Sequence, residues 1–189
     1  MKKGDYISTI LRSNKTVFSF KDIALLWGDS GNAARVRVNY YLKNGDFYRI
    51  HQGFYAKDKN YNKNELATKV YTPSYISFET VLGKAGVTFQ HYGQIFVASY
   101  LTRKISADKQ AYSYRKIKES VLTNNAGIEH KDNYSIATSE RAFLDVVYLN
   151  KNYHFDNLSV LDWNKIFEIL PIYSNKRMEK EIKTYQKNI

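Results

Sequence analysis

Residues 18–57, FSFKDIALLWGDSGNAARVRVNYYLKNGDFYRIHQGFYAK, decide how the rest of this chain is read. Ser19 has the chemistry of a helix N-cap, and Asp22, three residues on, that of a capping-box partner and first-turn acid. The helix they open carries Ile23, Leu25, Leu26 and Trp27 and stops at Gly28, because Gly28-Asp29-Ser30-Gly31 is a strong turn signal. The spacing then predicts a second helix over 32–44. Ala34, Val38, Tyr41 and Leu42 fall at i, i+4, i+7 and i+8 and make its core stripe. Asn32, Val36, Asn39, Tyr40 and Lys43 face the other way, Arg35 and Arg37 flank them, and Gly45 supplies the left-handed stop. Residues 47–50 and 54–56 are aromatic-rich runs around His51-Gln52-Gly53, the pattern of a β-hairpin.

Preceding this block, Tyr6, Ile7, Ile10 and Leu11 form one face of a helix over 5–12. Helix, turn, helix and hairpin within residues 1–58 predict a winged helix-turn-helix. In such a module Arg can pair with guanine and Asn with adenine, while Tyr and Lys contact phosphates. The candidate double-stranded DNA contacts are therefore Asn32, Arg35, Arg37, Asn39, Tyr40 and Lys43 in the helix, with Arg49, His51, Gln52 and Lys57 in the wing. A solvated amphipathic helix would show a similar polar face, and His51 also fits a turn residue without a role.

Charge points the same way. The 189 residues carry a formal net charge of +11, which is a statement about partners: nucleic acid first, an anionic membrane surface or acidic protein behind it. Residues 1–58 hold 10 Lys and Arg against 5 Asp and Glu, a net of +5, so this part is the more basic per residue. With no Cys, disulfides, thiolate metal sites and Cys nucleophiles are excluded. No apolar stretch follows Lys2 and Lys3 as a signal peptide requires, and none approaches a membrane span, so an intracellular, cytoplasmic protein with no membrane partner is expected.

The polar run 58–64 reads as a linker or domain seam, and residues 65–189 as a second, mixed α/β unit. Residues 65–72 predict a helix, and 75–86 a short strand entering a helix capped by Ser77 and ended by Gly86. Residues 94–103 and 111–117 are β-branched and aromatic and are expected to pair. Residues 127–130 and 134–137 flank a Lys131-Asp132-Asn133 turn as a second hairpin. Ser139 is expected to cap an amphipathic helix over 140–149. Helices over 162–170 and 175–187 complete the chain, the last one basic. The fold class is α+β.

Two of these stretches carry a family resemblance. PSYISFETVL (73–82) followed by Gly86, and IATSERAFLD (136–145), resemble signature segments of the AbiEi antitoxins of type IV toxin–antitoxin, abortive-infection phage-defence systems. The N-terminal module ending in Gly53-Phe54-Tyr55 is similar to that family's start, and the resemblance spans roughly residues 6–170. It implies a winged helix-turn-helix followed by an antitoxin domain. The first would be a transcriptional repressor on inverted repeats in its own operon promoter. The second would counteract a nucleotidyltransferase-like toxin without a stable complex. Val36 on the outward face and the lack of a dense Arg cluster depart from the family's recognition helix.

Catalytic chemistry is not expected. His51, His91, His130 and His154 show no metal-ligand spacing, and no phosphate-binding glycine loop is present, so neither metal nor cofactor is implied. Glu79, Glu140 and Asp145 could pass for a catalytic acid set but are expected to be helix N-terminal acids and exposed helix charges. A winged-helix protein-interaction adaptor, or a regulator without an antitoxin role, is the alternative reading.

Overall fold

The computed structural model describes residues 5–187; Lys2, Lys3 and the chain's last two residues lie outside that range. The chain is mixed α+β, with two sheets and nine α-helices among the described residues. The first unit comprises α1 (Asp5–Arg12), β1 (Val17–Ser19), α2 (Phe20–Trp27), α3 (Gly31–Asn44), β2 (Tyr48–His51) and β3 (Phe54–Ala56). Its antiparallel sheet runs in the order β1-β3-β2. Strand β1 was not foreseen: three residues beside a helix cap are too short to show a period of two.

The capping box forms as expected. Ser19 Oγ accepts from the Asp22 amide, and Asp22 Oδ2 accepts from the Ser19 amide. Burial resists the charge on Asp22, yet the Ser19 bonds and Lys69 hold its pKa below the usual carboxylate value. The helix buries Ile23 and Trp27, one turn apart, while Leu25 is 83% exposed. Trp27 is the hub of this core, its ring edge-on to Tyr6 and Phe47 and tilted against Tyr41.

The second unit is built on a six-stranded sheet, β6-β7-β5-β4-β9-β8. Its strands are β4 (Ser74–Ile76), β5 (Gln94–Ser99), β6 (Arg103–Ala107), β7 (Gln110–Lys116), β8 (Ile128–Lys131) and β9 (Tyr134–Ala137). The two expected runs do pair, as parallel neighbours β5 and β7. Parallel neighbours need a connection, and β6 supplies part of it as an edge strand antiparallel to β7. The expected hairpin is β8–β9. Helix α4 (Lys63–Val70) covers one face, where Ile76, Val97 and Tyr114 align and Tyr114 donates to the Ala67 carbonyl. Helices α5 (Glu79–Lys84) and α7 (Ser139–Leu149) lie on the other side. The chain continues through α6 (Glu119–Leu122), α8 (Trp163–Ile169), a 3-10 turn and α9 (Lys176–Lys187).

Two expected caps are corrected. Thr138, not Ser139, caps α7 by accepting from the Arg141 amide. Ser77 caps nothing: Phe78, at φ +56°, turns the chain into α5, and Ser77 Oγ donates to Asp145 at 2.7 Å. Glu79 and Glu140 do stand in the first turns of α5 and α7, as expected of helix N-terminal acids. The expectation of exposed charges is overturned, since both of these and Asp145 are buried. Asp145 has no solvent exposure and takes hydrogen bonds from Tyr173, Ser77 and Tyr75. Arg141, equally buried, pairs with it one turn away and donates to the carbonyls of Val121 and Ala126 at 2.7 Å each. Burial raises the pKa of Asp145, opposed by Arg141 and the three hydroxyls. The backbone comes so close here that a Cβ on Gly127 would sit 2.8 Å from Arg141 Cβ.

The run 58–64 is held down rather than loose. Tyr61 is buried in the second unit's core, which also takes in Val17 and Ala56 of the first. Asn62 caps α4. Fully buried Glu65 accepts from the Thr16 amide and hydroxyl at 2.9 and 2.6 Å, and pairs with Lys69 at 3.0 Å. Lys69 in turn donates to the Val17 carbonyl. Replacing Glu65 by alanine strands Thr16 and removes the nearest counter-charge of Lys69. It is expected to cost about 2–4 kcal/mol, read by urea denaturation.

Candidate nucleic-acid interface

The geometry that presents α3 begins in the turn before it. Gly28 takes the left-handed conformation at φ +65°, which lets the chain reverse within three residues before Ser30 opens α3. The turn is then braced from within α3. Arg37 binds Asp29 in bidentate fashion, at 2.8 and 3.4 Å, and its guanidinium lies 3.5 Å from the centroid of Tyr6. The hydrogen bond that Arg37 donates to Asp29 also holds the Arg37 pKa above its ordinary value. Trp27 Nε1 donates to the Tyr6 carbonyl at 2.9 Å, which docks α1 on the same corner.

Helix α3 buries Ala34, Val38 and Tyr41, as the stripe predicts. The opposite side, at i, i+3, i+4, i+7 and i+11, carries Asn32, Arg35, Val36, Asn39 and Lys43, all exposed. Val36 is 72% exposed, leaving a branched aliphatic group in the middle of a polar, basic stripe. Tyr40 borders it, edge-on to Tyr41.

Hairpin and helix share a side through Phe20. The Phe20 amide donates to the Gly53 carbonyl at 2.9 Å, which fixes the hairpin turn at the start of α2. Arg35 of α3 lies over the Phe20 ring, 5.8 Å from its centroid. Arg35, on the exposed stripe of α3, thereby lies on the residue that holds the hairpin turn, Phe20. Arg49 is exposed and lies over Tyr55; Gln52 is exposed; His51 is half-buried with its ring against Phe54.

Two of the ten candidate contacts are occupied elsewhere. Arg37 braces the turn, and Lys57 Nζ donates to the carbonyls of Leu11 and Ser13, closing the end of α1. Both are positioning residues in this arrangement. The acidic partner Asp29, eight residues before Arg37, is the sequence signal that separates Arg37 from Arg35. Replacing Arg37 by alanine should cost about 1–2 kcal/mol, from the lost ion pair and ring contact. A thermal melt would show this as a fall of several degrees.

The described residues contain no group of three His, Asp or Glu side chains placed to hold a metal ion. No described helix is long and apolar enough to cross a membrane. Set against known families and curated proteins, the chain matches no family model and no curated sequence.

Proposed function

We propose that the first unit is a winged helix-turn-helix that binds double-stranded DNA, with α3 in the major groove and the β2–β3 hairpin as the wing. The observation that carries this is the stripe Asn32, Arg35, Asn39 and Lys43, exposed and aligned beside a hairpin turn that Phe20 anchors. Arg35 and Asn39 lie four residues apart, the spacing at which two side chains share one helix face and can reach neighbouring base edges. Val36 between them suits a thymine methyl, the one apolar group in the major groove. Lys43, Arg49 and Gln52 supply phosphate contacts, which fix register without reading sequence.

The second unit is proposed as the antitoxin part of a type IV system, on the AbiEi-like segments at 73–82 and 136–145. Those segments build the interior of that unit: Tyr75, Ser77, Arg141 and Asp145 meet in one buried network. They support a shared architecture. The counteracted partner would be a nucleotidyltransferase-like toxin, and the DNA target the inverted repeats of the protein's own promoter.

A mobility shift with DNA from upstream of the protein's own operon tests the first part. The full chain should retard that duplex at concentrations at which an unrelated duplex of equal length stays free. Equal retardation of both would remove the repressor role. Co-expression with the product of the adjacent gene tests the second part: restored growth supports the antitoxin role, and unrelieved toxicity removes it.

A further inference from the structure

A cleft of about 660 Å³ opens between the start of α4, helix α5 and the loop that leads into β5. We infer that it is a nucleotide site. The phosphate would lie at Lys63 and Lys84, and the base would stack on Phe89. Sites for small molecules have this order of volume. The inference concerns the second unit's own surface and does not depend on the reading of α3.

Its charge is the first support. Lys63 and Lys84 line the cleft, are exposed, and have no ion pair among the described residues. Glu79, the one carboxylate among the described lining residues, is already answered by Arg115 at 2.9 Å. Arg115 is itself held between the rings of Phe78 and Phe96, at 4.8 and 4.2 Å from their centroids, and stays with Glu79. Two flexible ammonium groups are thus left over, the point charges that bind phosphate.

The second support is Phe89. Its amide is pinned by Asp156 Oδ2 at 2.7 Å while its ring is 71% exposed at the cleft. A large aromatic ring on a pinned backbone, open to water beside two cations, is the arrangement on which unpaired bases stack. Gln94 lines the same wall with no side-chain hydrogen bond among the described residues, and its amide suits a base edge. A nucleoside phosphate matches ammonium, ring and amide together, where an inorganic anion uses only the first. A free mononucleotide and the terminal residue of an RNA strand share this unit.

Calorimetric titration of the full chain with AMP, GMP, CMP and UMP, with adenosine, and with a short oligoribonucleotide tests the site. At least one monophosphate should bind, and adenosine should bind more weakly than AMP. Phe89→Ala, a change at an exposed ring, should weaken binding roughly tenfold. Lys84→Ala should weaken it several-fold and reduce the preference for AMP over adenosine, and Lys63→Ala with Lys84→Ala should erase that preference. An oligonucleotide that binds more tightly than any monophosphate assigns the cleft to a strand end; equal or weaker binding assigns it to free nucleotides. Absence of binding at millimolar concentration, or binding indifferent to these variants, would overturn the inference. Retardation of duplex DNA, measured on the same variants, should be unchanged, which keeps failure here separate from failure of the DNA-binding role.

Discussion

Replacing Arg141 with alanine is expected to destabilise the chain by about 3–5 kcal/mol, the cost of leaving one member of a buried pair alone. Asp145 would keep its hydroxyl donors but lose its counter-charge in a site with no solvent exposure. The carbonyls of Val121 and Ala126 would lose donors now 2.7 Å away. For a chain of this length the melting temperature should fall on the order of 10 °C. Lysine should not rescue, because one ammonium cannot reproduce a planar fork that reaches Asp145, Tyr75 and two carbonyls at once. Urea denaturation checks both variants, and a shift of under about 1 kcal/mol for Arg141→Ala would show that the network contributes little.

The second large effect concerns DNA. Arg35→Ala and Asn39→Ala should each weaken binding to the preferred duplex by about 1–3 kcal/mol, with relaxed preference at one base position. Arg37→Ala provides the contrast, since its guanidinium is held by Asp29. That variant should melt earlier yet retain the sequence preference of the parent wherever it is folded. Anisotropy titrations on the parent duplex and single-base variants would show the pattern. If Arg37 governs base preference while Arg35 does not, the assignment of the two residues is reversed.

How far the sequence carried these conclusions depended on the range of the forces involved. The α2 cap, the stops at Gly28 and Gly45, the α3 stripe and the β2–β3 turn were legible because each is settled within about one helical turn. Strand β1 was not, since its pairing partner β3 lies far along the chain. Ser77 and Ser139 each looked like caps, but tertiary partners claimed the first and the neighbouring threonine displaced the second. Glu79 and Glu140 were placed correctly at helix starts, but the burial of these and of Asp145 was missed because a charged helix residue is ordinarily a surface feature. Arg141 and Asp145, one turn apart among Ala142, Phe143, Leu144, Val146 and Val147, carried a signal of the opposite kind: a complementary pair on a face otherwise given to the core. For the candidate interface, composition named the side chains but could not separate those that project, such as Arg35 and Lys43, from those that Asp29 and the end of α1 already hold.

The salt dependence of binding to the upstream duplex is the most direct measurement of whether α3 and the hairpin grip DNA. Between about 50 and 200 mM salt the affinity should fall tenfold or more, and Lys43→Ala should lower the log–log slope by about one phosphate's worth, near 0.9. An affinity that does not change with salt, or a slope untouched by the loss of Lys43, Arg49 and Arg35 together, would contradict a DNA-binding role for this surface.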